Sequence, residues 1–181
     1  MSSVLSVDSM TKVHEKAISR INKTSNKELI LEFGVYKGKT INFLAKKFTK
    51  NTLVGFDSFE GLPEFWRDGF QKGTFKLNEL PNVENNITLV KGFFDKTLPK
   101  FLKKEKANVQ YLHIDCDLYS STKIIFKNLH KRIKKGTVIV FDEYFNYPGW
   151  QSGEFKAFQE FVEYSKLSFE YITYNRNGEQ V

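Results

Sequence analysis

The chain has 181 residues with 28 basic and 21 acidic side chains, a formal charge of +7, and 40% hydrophobic and 15% aromatic residues. That is one domain with enough apolar material to bury a core, and it excludes disorder. The lone cysteine, Cys116, excludes an internal disulfide and a structural zinc site.

No apolar run approaches the roughly 20 residues that cross a bilayer. The N-terminal MSSVLSVDSMTKVHEK lacks the apolar centre of a secretory signal, so a soluble cytoplasmic protein with no membrane partner is expected. Among the basic residues only Arg20, Arg67, Arg132 and Arg176 are arginines, and the lysines are scattered from Lys12 to Lys166. Readers of base sequence lean on arginine forks, so this charge reads as solvated surface and not as a nucleic-acid footprint.

In chain order, Met10, Val13, Ala17, Ile18 and Ile21 recur at helical spacing. Residues 1–25 therefore form an amphipathic helical segment ending near Asn22, a lid or a contact in a homo-oligomer. ELILEFGVY then closes on glycine as a strand buried on both faces. Ile41, Leu44, Ala45 and Phe48 share one face of a second helix.

Residues 52–56, 86–90, 109–114 and 137–141 repeat the short β-branched run, giving five buried strands with the first. Helices are predicted at 97–104, at 121–134 with Ser120 or Ser121 as cap and Gly136 as stop, and from Gly153 to Ser165. SFEYITYN (168–175) alternates as a strand, and NGEQV turns into one more. The chain reaches Val181 barely inside that last strand, which is expected to be truncated or finished differently. The whole predicts an α/β, doubly wound, Rossmann-like and mostly parallel sheet of seven strands with helices on both faces, in a single domain over 1–181. Residues 60–85 lack periodicity, and a loop of that length in a compact domain is usually functional.

Ligands of such sheets bind beyond the carboxyl ends of the strands, where strand order reverses. The residues there are Glu32-Phe33-Gly34 with Tyr36 and Gly38, then Asp57, then Gly92-Phe93, then Asp115-Cys116-Asp117, and finally Asp142-Glu143. Carboxylates at buried strand ends need donors, cations or a ligand. Gly34 and Gly38 let backbone approach a ligand, and Asp57 is placed to accept from ribose hydroxyls. Each strand-end aspartate taken singly is equally well explained by a turn in which it accepts backbone N–H bonds.

LEFGVYKG, VGFDSFEGLPEFW, VKGFFDKTLP, LHIDCDLYSSTKIIFKNL and GTVIVFDEYFNYPGWQSGEFKAFQEF together resemble a class I S-adenosylmethionine-dependent methyltransferase. More narrowly they are similar to the macrocin O-methyltransferase family, from about residue 29 onward and in the family's order. The resemblance implies metal-assisted O-methylation of a small hydroxylated acceptor such as a sugar. It implies that Glu32, Gly34, Tyr36 and Gly38 line the methionine part of S-adenosylmethionine, that Asp57 with Ser58 holds the ribose, and that Gly92 and Phe93 border the adenine. Asp115, Asp142 and Glu143 match positions that bind Mg2+ in relatives, with Glu143 standing where many members have Asp or Asn.

A metal held by oxygen ligands positions an acceptor hydroxyl and lowers its pKa, and Asp115 or Asp117 then takes the proton. The lysine that catechol-type relatives use is replaced by Leu118. His113 shares the face of Asp115, but a histidine on a buried strand is more often a satisfied structural group. Trp66 and Trp150 lie in loops at the ligand edge, as an acceptor lid or as packing anchors.

Other readings explain less. Asp115-Cys116-Asp117 spells the D-x-D of nucleotide-sugar transferases but leaves the strand-one glycines unexplained. A nicotinamide enzyme has no use for Asp142-Glu143. A catalytically silent binding domain would not need every acidic position. Nucleic-acid amino-methylation lacks its Pro-Pro-Tyr or Pro-Pro-Phe motif.

Overall fold

A computed structural model describes residues 4–21 and 27–181. The elements in order are β1 (Leu5–Val7), α1 (Met10–Ser19), β2 (Leu29–Phe33), α2 (Lys39–Lys47), β3 (Leu53–Asp57), β4 (Ile87–Lys91), α3 (Phe94–Lys104), β5 (Val109–Ile114), α4 (Tyr119–Leu129), β6 (Val138–Phe141), α5 (Glu154–Ser165) and β7 (Thr173–Asn175). The predicted helix end at Asn22 lies outside the described residues. No helix among the described residues is long and apolar enough to cross a membrane.

The main sheet is all parallel, in the order β4-β3-β2-β5-β6. From β2 the chain steps outward through β3 and β4, then returns to the other side of β2 as β5 and β6. The switch point therefore falls between β2 and β5, where side-by-side carboxyl ends leave a crevice. β2 and β5 are buried along their whole length, which is why they read as unbroken apolar runs.

Two cores flank the sheet. Leu31, Phe33, Leu112 and Ile114 pack with Ile125, Phe126, Phe158 and Phe161 on one face, with Phe126 and Phe161 stacked 4.6 Å apart. On the other, Ile30 and Tyr111 pack with Ile41 and Leu44 of α2 and with Val13 and Ala17 of α1. The apolar stripe of α1 is thus docked on the sheet.

The fold class stands as predicted, but the strands divide as five and two. β7 pairs in parallel with β1, Leu5 opposite Thr173, as a separate two-stranded sheet. The alternation of 168–175 yields a strand only at its last three residues, because Phe169 and Tyr171 turn their rings to Phe158 and Tyr144. The closing turn is present: Asn175 N–H donates to Gln180 O at 2.9 Å. Val181 and Phe141 exchange two backbone hydrogen bonds, the antiparallel pattern, at the outer edge of β6.

Two helix starts differ from expectation. α3 begins at Phe94 and runs through Pro99, because Phe93 O already accepts from Thr97 N–H at 3.1 Å. α4 begins at Tyr119 with no side-chain cap, and Ser120 Oγ donates to Glu64 at 2.6 Å instead.

Candidate active site

The ends of β2 and β5 meet backbone to backbone. Gly34, at φ +91°, has no side chain because a Cβ there would lie 1.6 Å from the carbonyl oxygen of Asp115. Gly34 N–H donates to Phe56 O and Asp115 N–H to Phe33 O, each at 2.9 Å, so neither chain can yield. Beyond this junction opens a cleft of about 740 Å³.

One half of the cleft is formed by Gly34, Tyr36, Asp57, Ser58 and Phe93, the other by Asp115, Asp117 and Glu143. These are eight of the residues expected at the site. Asp57 organises the first half: its Oδ2 accepts from Val35 and Tyr36 N–H, both at 2.8 Å, and its Oδ1 from Phe59 N–H at 2.7 Å. A carboxylate has about four lone-pair positions, so three donors leave capacity for a ligand hydroxyl. Ser58 Oγ donates to Gly61 O at 3.2 Å. Phe93 and Tyr36 keep exposed ring surface, and Tyr36 rests edge-on against Phe75 at 5.4 Å.

Four expected residues are not in the cleft wall. Glu32 is buried opposite its register partner His113, and its Oε2 meets His113 Nδ1 at 3.0 Å. It points to the α1 and α2 face because strand side chains alternate and its neighbour Phe33 takes the other face. Gly38 and Gly92 act through backbone shape, with φ of +78° at the start of α2 and +132° before α3. Asp142 stands behind the wall with a buried Oδ1 that has no partner.

The acidic half is crowded. Burial and then the Asp142 charge push the Asp115 carboxyl well above the usual carboxylate range. Asp117 is pushed up to about 7 by burial and then Asp142, against the pull of Arg67. Glu143 rises through burial and then Asp115, and its Oε2 is a second buried oxygen without a partner. Of the expected metal triad, Asp115 and Asp142 come together. The third group within 4.8 Å of them is His113, and Glu143 lies outside that cluster.

Glu154, the fully buried first residue of α5, completes the crowd; it accepts from Cys116 N–H at 3.2 Å. Burial and then Asp117 push its carboxyl well above its ordinary 4.5. A carboxyl with a raised folded pKa binds more protons folded than unfolded, so its stabilising share is full below about 4.5 and is lost as pH climbs toward the folded value. Glu154→Gln keeps the acceptor and removes the charge. We expect it to gain on the parent protein by up to about 1.4 kcal/mol per pH unit within that interval. Urea unfolding at pH 5 and pH 8 measures this, and an equal difference at both would refute it.

The aperiodic segment covers the cleft. Trp66, Arg67, Phe70 and Phe75 line it. The Arg67 guanidinium lies 3.9 Å over Trp66 and 4.8 Å over Tyr147, and Nη1 reaches Glu179 at 3.4 Å. Sequence reasoning marked the segment and Trp66 but missed Arg67, whose one signal was an arginine set between aromatic residues in a chain poor in arginine. Trp150 is a packing anchor, 4.8 Å from Phe155 and outside the cleft wall.

A parallel five-stranded sheet in this order, with a glycine turn and acidic strand ends around the switch point, is the architecture of class I S-adenosylmethionine-dependent methyltransferases. The family described as a methyltransferase domain matches residues 31–144, and the chain belongs to that family. No curated protein matches it. Among solved structures, the calicheamicin methyltransferase CalS11 is 24% identical over 83% of this chain and 68% of its own, with a TM-score of 0.64. The O-methyltransferase NovP is 18% identical over 94% and 78%, with a TM-score of 0.71. TomG of Streptomyces achromogenes, an O-methyltransferase of tomaymycin synthesis in complex with S-adenosylmethionine, is 19% identical over 87% and 68%, with a TM-score of 0.53. At these identities the likeness is one of fold.

Proposed function

We propose that the protein methylates a hydroxyl of a small hydroxylated acceptor, such as a sugar, with the help of a divalent cation. The observation that carries this is the cleft itself, in which a glycine and aromatic half adjoins a half walled by the carboxylates of Asp115, Asp117 and Glu143. CalS11 is also described as a TDP-rhamnose 3'-O-methyltransferase, which supports a sugar acceptor.

In this reading Gly34 and Tyr36 border the methionine part of the donor, Asp57 and Ser58 the ribose, and Phe93 the adenine face. Glu32, Gly38 and Gly92 shape that half from behind. Bound S-adenosylmethionine supplies a methyl group on an electron-poor sulfonium. Asp117 accepts the proton of the acceptor hydroxyl, and the segment around Trp66 and Arg67 orients the acceptor and excludes water.

The residues fit a cation. Asp142 has a buried Oδ1 with no partner, and one ligand atom of Asp142 and one of Asp115 lie within 4.8 Å of each other, carboxylate oxygens of the kind a divalent cation takes. Asp115 and Asp142 would hold the ion with Glu143 beside them, and its charge would polarise a hydroxyl and lower its pKa.

The test is calorimetric titration with S-adenosylhomocysteine, with NAD and UDP-glucose as controls. We expect micromolar binding of S-adenosylhomocysteine alone, weakened about tenfold or more, some 1.4 kcal/mol, by Asp57→Ala. Binding of NAD or UDP-glucose instead would assign a different Rossmann-like enzyme. Binding of none of the three would mark a silent domain.

A further inference from the structure

His113 is fully buried in the middle of the domain, yet only one of its ring nitrogens is satisfied. Nδ1 meets Glu32 Oε2 at 3.0 Å, and Nε2 has no partner. Asp142, on the neighbouring strand end, likewise has a buried Oδ1 with no partner. One ligand atom from each of His113, Asp115 and Asp142 falls within 4.8 Å of the others. His14 of α1 meets the imidazole edge-on at 4.7 Å, with its Nδ1 bonded to Tyr111 Oη at 2.6 Å and its own Nε2 also without a partner.

Leaving an imidazole nitrogen and a carboxylate oxygen buried and unpaired is costly, because neither recovers the hydrogen bonds it made to water. A single cation between them would satisfy both. The pairing with Glu32 has the form that accompanies metal-bound histidines: Nδ1–H donates to a carboxylate, which fixes the ring and its tautomer and leaves the Nε2 lone pair free. An imidazole among two carboxylates also changes which ion fits, since Mg2+ seeks oxygen ligands whereas Mn2+, Fe2+, Co2+ and Zn2+ accept nitrogen.

We propose that His113, oriented by Glu32, is a nitrogen ligand of the cation held by Asp115 and Asp142, so that the site selects a first-row transition dication over Mg2+. This rests on the metal-assisted reading of the cleft and makes His113 a ligand and not a proton acceptor. Glu32 becomes a positioning residue.

The experiment uses the full chain, stripped with chelator and loaded with Mn2+ without any methyl donor, and reads nitrogen coupling to the ion by pulsed electron paramagnetic resonance. We expect a directly bound 14N signal that converts to 15N in protein carrying 15N-histidine. It should disappear in His113→Gln, and Mn2+ affinity in Glu32→Gln should fall about 10- to 100-fold. Mg2+ at equal concentration should fail to displace Mn2+. Should His113→Gln not fold, a signal retained in both His14→Phe and His130→Gln assigns it to His113, the one remaining histidine. Bound Mn2+ with oxygen couplings alone would overturn the inference and leave the metal-assisted reading standing. Absence of Mn2+ binding would overturn both.

Discussion

Gly34→Ala should abolish the folded protein or lower its melting temperature by roughly 10 °C or more. The added Cβ would sit 1.6 Å from Asp115 O, and that obstacle is backbone inside a parallel sheet. A flexible side chain could swing away, but here β2 and β5 would have to separate, breaking the Gly34 to Phe56 and Asp115 to Phe33 hydrogen bonds. Alanine at φ +91° adds backbone strain. Together these place the substitution among the exceptional ones, at about 4–5 kcal/mol, and a domain of this size loses about 2–4 °C per kcal/mol. Thermal and urea unfolding of the purified variant decide the matter. A melting temperature within a degree or two of the parent would mean that the strand ends are not in contact.

The second large effect is on turnover. Asp117→Asn is expected to lower kcat by about 10²–10⁴-fold, the usual share of a positioned general base, with S-adenosylhomocysteine affinity unchanged. The amide matches the carboxylate in shape and cannot take the acceptor's proton. Asp117 is nearly buried, lines the cleft, holds a left-handed φ of +66° and faces Arg67. Such a backbone is costly for a residue other than glycine and is tolerated best by Asp and Asn, so the variant retains the loop. Single-turnover rates with and without Mn2+ separate loss of the base from loss of a cation. An unchanged kcat would move the proton acceptor elsewhere, with Asp115 next in line.

Much of this molecule is readable before folding, for specific reasons. β2, β3, β5 and β6 stand out because a parallel strand covered on both faces is apolar at nearly every position, as LILEF and VQYLHI show. The strand-end acids could be singled out because the topology itself says where ligands bind. The pairing of β1 with β7 was not legible, since three residues carry no period and their partner lies far along the chain. Nor was the side-chain face of Glu32 at a strand end, which shifts with a single residue of register. His113 exposes the same limit: its bond to Glu32 depends on two strands from distant segments lying in register. The approach of Arg67 to Tyr147 and Glu179 belongs to tertiary structure entirely.

The segment from Phe59 to Pro81 contributes no strand to the main sheet; its one internal bridge joins Arg67 and Phe70. It is held over the cleft by ring stacking on a guanidinium and by side-chain contacts such as that of Glu64 with Ser120. Its residues can therefore diverge without disturbing the load shared by β2 and β5. On the proposed function, the sheet carries the groups that do the chemistry and the cover meets the acceptor, so a change of substrate is expected to draw chiefly on residues of the cover.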